Sequence, residues 1–122
     1  MIQSFRDLAV WQKGMNLAER AYACTEAMPR SEAYGLTSQI RRAAVSIPSN
    51  IAEGKGIGGQ GYRRHIKIAL GSEAELQTQI ELARRLTMLS NADADDLVKR
   101  TSEVGRMLVC LLNALPRTRT ED

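Results

Sequence analysis

Residues 41–54 read Arg41-Arg42-Ala43-Ala44-Val45-Ser46-Ile47-Pro48-Ser49-Asn50-Ile51-Ala52-Glu53-Gly54. Taken at helical period with the residues just before it, the stretch has an apolar side of Leu36, Ile40, Ala43, Ala44, Ile47 and Ile51. That is the i, i+3/i+4 stripe of a helix packed on a core. A second stripe at the same spacing is wholly polar: Gln39, Arg42, Ser46, Ser49 and Glu53. Pro48 lies deep inside the pattern. A proline there removes one backbone N–H and clashes with the carbonyl of Ala44, at a cost of about 3 kcal/mol in an ordinary helix. The expectation is a helix kinked at Pro48 yet continuous, with Ser46 or Ser49 satisfying a freed backbone group. Gly54 is expected to end it as a left-handed cap.

On the N-terminal side, a first helix is expected from about Asp7 to Ala27, capped by Ser4 or Asp7. Leu8, Trp11, Met15, Ala18 and Tyr22 make its expected buried stripe, with Trp11 and Tyr22 as anchors. Pro29 ends it, and the second helix begins between Ser31 and Thr37. On the C-terminal side, Lys55-Gly-Ile-Gly-Gly-Gln-Gly61 holds two overlapping G-x-G-x-x-G patterns. A dinucleotide fingerprint requires a strand before the loop, and here a helix precedes it. A flexible connection is the expectation. A weaker possibility is a phosphate held by free N–H groups at the next helix start, beside Arg63 and Arg64.

The third helix is expected from about Tyr62 to Leu89, with Ile66, Ala69, Leu70, Leu76, Ile80, Ala83, Leu86 and Leu89 on its apolar side. Glu73 falls on the same face, and Gly71 is a candidate for close approach to a neighbour. The fourth, about Ala94 to Leu115 with Asp93 as cap, buries Leu97, Thr101, Val104, Leu108, Leu111, Leu112 and Leu115. Met107, Val109 and Cys110 widen its apolar side, which suggests contact with two neighbours or another subunit. Pro116 stops it, leaving residues 1–116 as one domain and 117–122 as a frayed tail. Four helices on short loops make an all-α, up-down-up-down four-helix bundle with a proline-kinked second helix.

The bulk composition agrees. A chain of 122 residues holds one core, and with 4% aromatics that core is aliphatic, which suits helices. Cys24 and Cys110 lie far apart without metal spacing and read as buried thiols in a reducing cytoplasm. The N-terminus has no signal-like apolar run, and no apolar stretch is long enough to span a membrane. The net charge of +3 is uneven: residues 41–67 carry six basic and one acidic residue, residues 68–96 two basic and six acidic. That suits a salt-bridged or self-complementary assembly at least as well as a nucleic-acid surface.

Several motifs follow one another in order: Phe5-Arg-Asp-Leu8 with Trp11-Gln-Lys, Glu32-Ala-Tyr-Gly-Leu36, Gln39-Ile-Arg-Arg-Ala-Ala44, Ser46-Ile-Pro-Ser-Asn-Ile-Ala-Glu-Gly54, and Gly71-Ser72 with Glu75-Leu76. From Phe5 to about Leu115 the chain resembles the four-helix-bundle family found in intervening sequences of bacterial large-subunit (23S) ribosomal RNA genes. It is also similar to the accessory proteins of diversity-generating retroelements. The resemblance implies the bundle fold. Through the retroelement proteins it implies a pentamer associated with a reverse transcriptase and RNA. Most members have no established biochemical activity.

Chemistry is sparse. His65 is the single histidine, set among Arg63, Arg64 and Lys67, and reads as a solvated helix residue or a nucleic-acid contact. No Glu-x-x-His pair or cysteine–histidine cluster has metal spacing, so no metal or other cofactor is expected. Glu53 with Glu73 and Glu75 reads as an interhelical polar network with Arg41, Arg42, Ser46, Ser49 and Asn50, since no nucleophile accompanies the carboxylates. The expected function is a non-enzymatic oligomeric scaffold that binds RNA or DNA, or a nucleic-acid-handling partner, through Lys55, Arg63, Arg64 and Lys67. The alternative is a purely structural protein-interaction module.

Overall fold

The computed structural model describes residues 4–117. Helix α1 runs Ala9–Thr25, α2 Leu36–Ile57, α3 Gly59–Arg85 and α4 Asn91–Ala114, and no strand occurs among the described residues. Short 3-10 turns at Phe5–Asp7 and Arg30–Glu32 precede α1 and α2. α1 packs on α2 and α4, α3 packs on the same two, and the backbones of the diagonal pairs stay apart among the described residues. This is an all-α four-helix bundle. The expected tail, apart from Arg117, lies outside the described residues.

Local chemistry sets the ends of the helices. Ser4 and Asp7 form a reciprocal capping box around the first 3-10 turn. Glu32 Oε1 accepts the Leu36 N–H at 3.0 Å, placing a carboxylate at the start of α2. Ser90, one turn earlier than the expected Asp93, caps α4 by accepting the Asp93 N–H at 3.1 Å. α3 stops at Arg85 rather than Leu89, where Thr87 turns into the left-handed region at φ 57°.

The connection between α2 and α3 differs most from expectation. The glycine loop is absent: α2 continues past Gly54 to Ile57, and α3 begins at Gly59. Gly58 alone links them, with φ 74° and ψ −177°, a conformation open to glycine and strained for any other residue. Its N–H reaches Gly54 O at 2.9 Å while its carbonyl accepts the Tyr62 N–H at 3.1 Å. One residue therefore closes one helix and opens the next.

α2 runs through Pro48 without a break, and its apolar stripe from Leu36 to Ile51 is buried as expected. The expected α1 stripe is buried only in part, at Leu8 and Ala18. Val10, Gly14, Leu17, Ala21 and Cys24 face the core, whereas Met15 and Tyr22 are exposed and Trp11 half-buried. The two stripes lie one residue, or about 100°, apart on a helix. Gly14 faces Pro48 and Ile47 of α2, where a Cβ would make ordinary contact at 3.5 Å from Pro48 Cβ. Trp11 instead packs edge-on against Phe5, with ring centroids 5.3 Å apart.

In α3, Leu86 is exposed, and Gly71 has no neighbour within 4 Å of a notional Cβ. The close approach there is made by Gly105 of α4, which abuts the Glu73 side chain. Leu111, Leu112 and Leu115 are only partly buried, and Val109 and Cys110 are exposed. Cys24 is buried as expected, and burial pushes its thiol pKa up.

Ion pairs hold α4 antiparallel to α1. Lys13 meets Glu103 at 3.1 Å, and Arg20 meets Asp96 at 2.8 Å and Asp93 at 3.2 Å. The Arg20 hydrogen bond holds the Asp96 carboxyl below the usual carboxylate range, with Arg100 adding to the effect. Glu81, Asp93, Asp95 and Asp96 thus pair with Arg20, Arg84, Arg85 and Arg100, none of them from the basic segment 41–67.

Candidate functional site

The polar residues of α2 do not form one network, because a helix carries neighbouring positions to different partners. Arg41 turns to α1. Its Nε donates to Thr25 Oγ1 at 2.9 Å, its Nη2 lies 3.4 Å from Glu26, and its guanidinium sits 4.5 Å from the Tyr22 ring centroid. Ser49 also borders α1, in an apolar groove with Trp11, Met15 and Val45. Glu73 faces α4 beside Gly105 and accepts a hydrogen bond from Gln77. Arg41, Ser49 and Glu73 therefore leave the expected interhelical network.

A smaller network joins α2 to α3. Ser46 Oγ lies 2.9 Å from Ser72 Oγ, and Asn50 Nδ2 donates to Ser46 O at 2.8 Å and Ser46 Oγ at 3.0 Å. With its amide nitrogen so engaged, Asn50 presents Oδ1 to His65 Nδ1 at 2.8 Å. That ring nitrogen must donate. The other, Nε2, lies 3.0 Å from Glu53 Oε2.

His65 is thus buried, not solvated, and sits where α2 and α3 come closest. A Cβ on Gly54 would lie 2.9 Å from His65 Cβ. Glu53, in contrast, is 60% exposed in its side chain. The chain of groups gives no activated nucleophile. An amide stands between the serine hydroxyl and the imidazole, and it passes no proton from one to the other. Among the described residues no three His, Cys, Asp or Glu side chains cluster to hold a metal ion.

Above the Ser46–Ser72 contact, α2 and α3 part to form an open cleft of about 350 Å³. Gln39, Arg42 and Ser46 line one wall, and Ser72, Glu75 and Gln79 the other. Arg42 and Glu75 are exposed, and among the described residues neither makes an ion pair. Gln79 is 9% exposed, and its Oε1 has no hydrogen-bond partner among the described residues. Sequence reasoning placed Arg42, Ser46 and Glu75 in a polar network and set Gln79 beside Glu73 on the third helix without giving it a role. Its signal was present: a polar residue one place before Ile80 and three after Leu76, inside an apolar stripe.

The four basic residues proposed for nucleic acid separate. Arg63 is 4% exposed and donates from Nη1 to Leu112 O at 2.7 Å and Leu115 O at 3.1 Å, closing the C-terminus of α4. It offers no surface to a phosphate. Lys55 stands 6.0 Å from the Tyr62 ring centroid, and Arg64 and Lys67 are exposed on the first turns of α3.

A solved structure described as a protein of unknown function from the S23 ribosomal protein family of Bacteroides thetaiotaomicron superposes with a TM-score of 0.80. It is 19% identical, and the match covers 87% of this chain and all of that one; it shows the shared fold. No curated protein matches. No helix among the described residues is long and apolar enough to cross a membrane. Residues 6–110 match the family model described as 23S rRNA-intervening sequence protein, and the chain belongs to that family.

Proposed function

We propose that the protein is a non-enzymatic assembly module that joins copies of itself through its two long faces. The observation that carries this is a pair of apolar grooves on opposite sides of the bundle. One, about 310 Å³, lies between α1 and α2 and is lined by Trp11, Met15, Val45 and Pro48. The other, about 520 Å³, lies between α3 and α4 and is lined by Leu70, Gly105, Val109 and Cys110. Exposed Met15, Val45 and Val109 leave apolar surface on both faces, as interaction sites do. The faces differ and point in opposite directions, so contact between them is head to tail, and it closes into a ring where the rotation from copy to copy closes rather than running on as a filament. Five copies is the number that the resemblance to retroelement accessory proteins implies.

Light scattering at micromolar protein should return a multiple of 13.5 kDa, about five-fold for that ring. Val109→Glu and Val45→Glu should each reduce the mass to one protomer. A wild-type mass of 13.5 kDa would remove the proposal. Thiol labelling gives an independent reading. Cys110 lines the α3/α4 groove, so it should label slowly in the assembly and fast in the Val45→Glu variant. Cys24 should label only after denaturation, since its thiol is buried and its pKa raised.

Nucleic acid, with or without an enzyme that handles it such as a reverse transcriptase, is the partner this reading assigns to the basic end of the bundle. Lys55, Arg64 and Lys67 lie near the Gly58 turn, and a ring multiplies even a weak patch. RNA and DNA should bind with little sequence preference and with a steep loss in salt, by a log–log slope near −0.9 per phosphate on duplex DNA. A mobility-shift titration at two salt concentrations tests this, with Lys55, Arg64 and Lys67 changed together to Ala. Equal shifts by parent and variant would place the patch elsewhere. No salt-dependent shift at all would leave a purely protein-binding module.

A further inference from the structure

From the cleft between α2 and α3 we infer a binding site for a small zwitterion bearing one carboxylate and one ammonium group, the chemistry of a free α-amino acid. Each wall contributes one amide, one charge and one hydroxyl, at matched helical spacing: Gln39, Arg42, Ser46 on α2 and Ser72, Glu75, Gln79 on α3. The helices run antiparallel with Ser46 opposite Ser72, 2.9 Å apart between hydroxyl oxygens. Going one turn back along α2 and one turn forward along α3 therefore brings Arg42 level with Glu75. Opposite charges face each other across the cleft, yet no ion pair joins them. A molecule that carries both charges satisfies both walls at once; one that carries a single charge leaves the other wall unanswered.

Gln79 points to the same chemistry independently. It is the most enclosed polar side chain of the lining, and its buried Oε1 is an unpartnered acceptor on the helix that carries Glu75. Glu75 and Gln79 stand four apart on α3 and so share a face. The Glu75 carboxylate suits an ammonium group, with the Gln79 amide able to turn its Oε1 toward it, while the Arg42 fork suits a carboxylate. Below, Asn50 holds Ser46 through both its backbone and its side-chain oxygen, so the floor is fixed before a ligand arrives. The volume of about 350 Å³ has room for an amino acid.

The test is isothermal titration calorimetry of the intact protein against the proteinogenic α-amino acids singly, with acetate and methylammonium as single-charge probes. At least one amino acid should bind with a Kd of about 1 mM or tighter. Neither single-charge probe should match it. Arg42→Gln and Glu75→Gln, both at exposed positions that leave the core intact, should each weaken binding about tenfold or more. Gln79→Met should do so while preserving the helix. Absence of heat with every amino acid would overturn the inference, as would unchanged binding in Arg42→Gln and Glu75→Gln. So would a change of assembly mass in Arg42→Gln, which would make the cleft a protein interface. The assembly proposal is read by mass alone, so either can fail without the other.

Discussion

Gly54→Ala is expected to destabilise the folded chain by about 1–2 kcal/mol and Gly54→Val by about 4 kcal/mol, whereas Gly56→Ala should stabilise it by about 0.5–1 kcal/mol. All three replace a glycine within the last turns of α2, where side-chain helix propensity alone favours the larger residue by up to about 1 kcal/mol. Space decides the sign. At Gly56 nothing lies within 4 Å of a notional Cβ. At Gly54 the new atom would sit 2.9 Å from His65 Cβ and 3.3 Å from both Tyr62 Cδ1 and Tyr62 O. The His65 backbone belongs to α3, one short link away, so the crowding separates the two helices or displaces the imidazole. Displacement removes the Asn50 and Glu53 contacts and leaves Asn50 Oδ1 without its donor. Urea unfolding of all three variants at one protein concentration measures this. Equal and small effects at both glycines would show that the hairpin does not depend on contact at Gly54.

That contrast shows what the sequence could and could not convey. Helix number, order and the α2 core stripe were legible because apolar residues recur there at one period over many turns. Pro48 was legible as tolerated within a continuous helix, whereas its packing neighbour Gly14 was not, since nothing in one helix names the surface it meets. The glycine run from Gly54 to Gly61 read as a loop because glycine lowers helix propensity. Its positions do different work: Gly54 admits His65, Gly58 makes the turn, and Gly56 does neither. The expected α1 stripe holds at Leu8 and Ala18 but not at Met15 and Tyr22, because that helix is apolar over two adjacent stripes and the smaller residues of the second face the core. Trp11 and Met15 of the expected stripe line an exposed groove. In the polar set, the Ser46–Asn50 spacing was visible, while the destination of Arg41 depended on α1, which periodicity within α2 does not locate.

The same reasoning applies with greatest force to Arg63, which charge alone assigned to a phosphate. Arg63 lies three residues before Ile66, on the buried stripe of α3, and a charge buried there must find partners in the fold. It finds the end of α4. The Leu112 carbonyl accepts only the Leu115 cap N–H, at 3.2 Å, and the Leu115 carbonyl lies past the helix end; the guanidinium supplies both with a donor and a positive charge where the helix dipole is negative. Arg63→Met keeps the aliphatic stem but removes the donors, leaving two carbonyls underserved. The expected loss is about 3 kcal/mol, with about 1–2 kcal/mol for Arg63→Lys, whose single ammonium keeps the charge but loses the fork. Arg64→Met, one residue on and exposed, should fall within about 0.5 kcal/mol of the parent. Amide exchange at Leu111 to Leu115 should speed up in Arg63→Met before the rest of α4 does, because the contact is confined to that end. Unchanged exchange there, with unchanged stability, would release Arg63 from this role. The distinction bears on nucleic-acid binding as well. Loss of binding in an Arg63 variant would report a loosened α4 terminus, whereas loss in Arg64 or Lys67 variants of parental stability would report a contact.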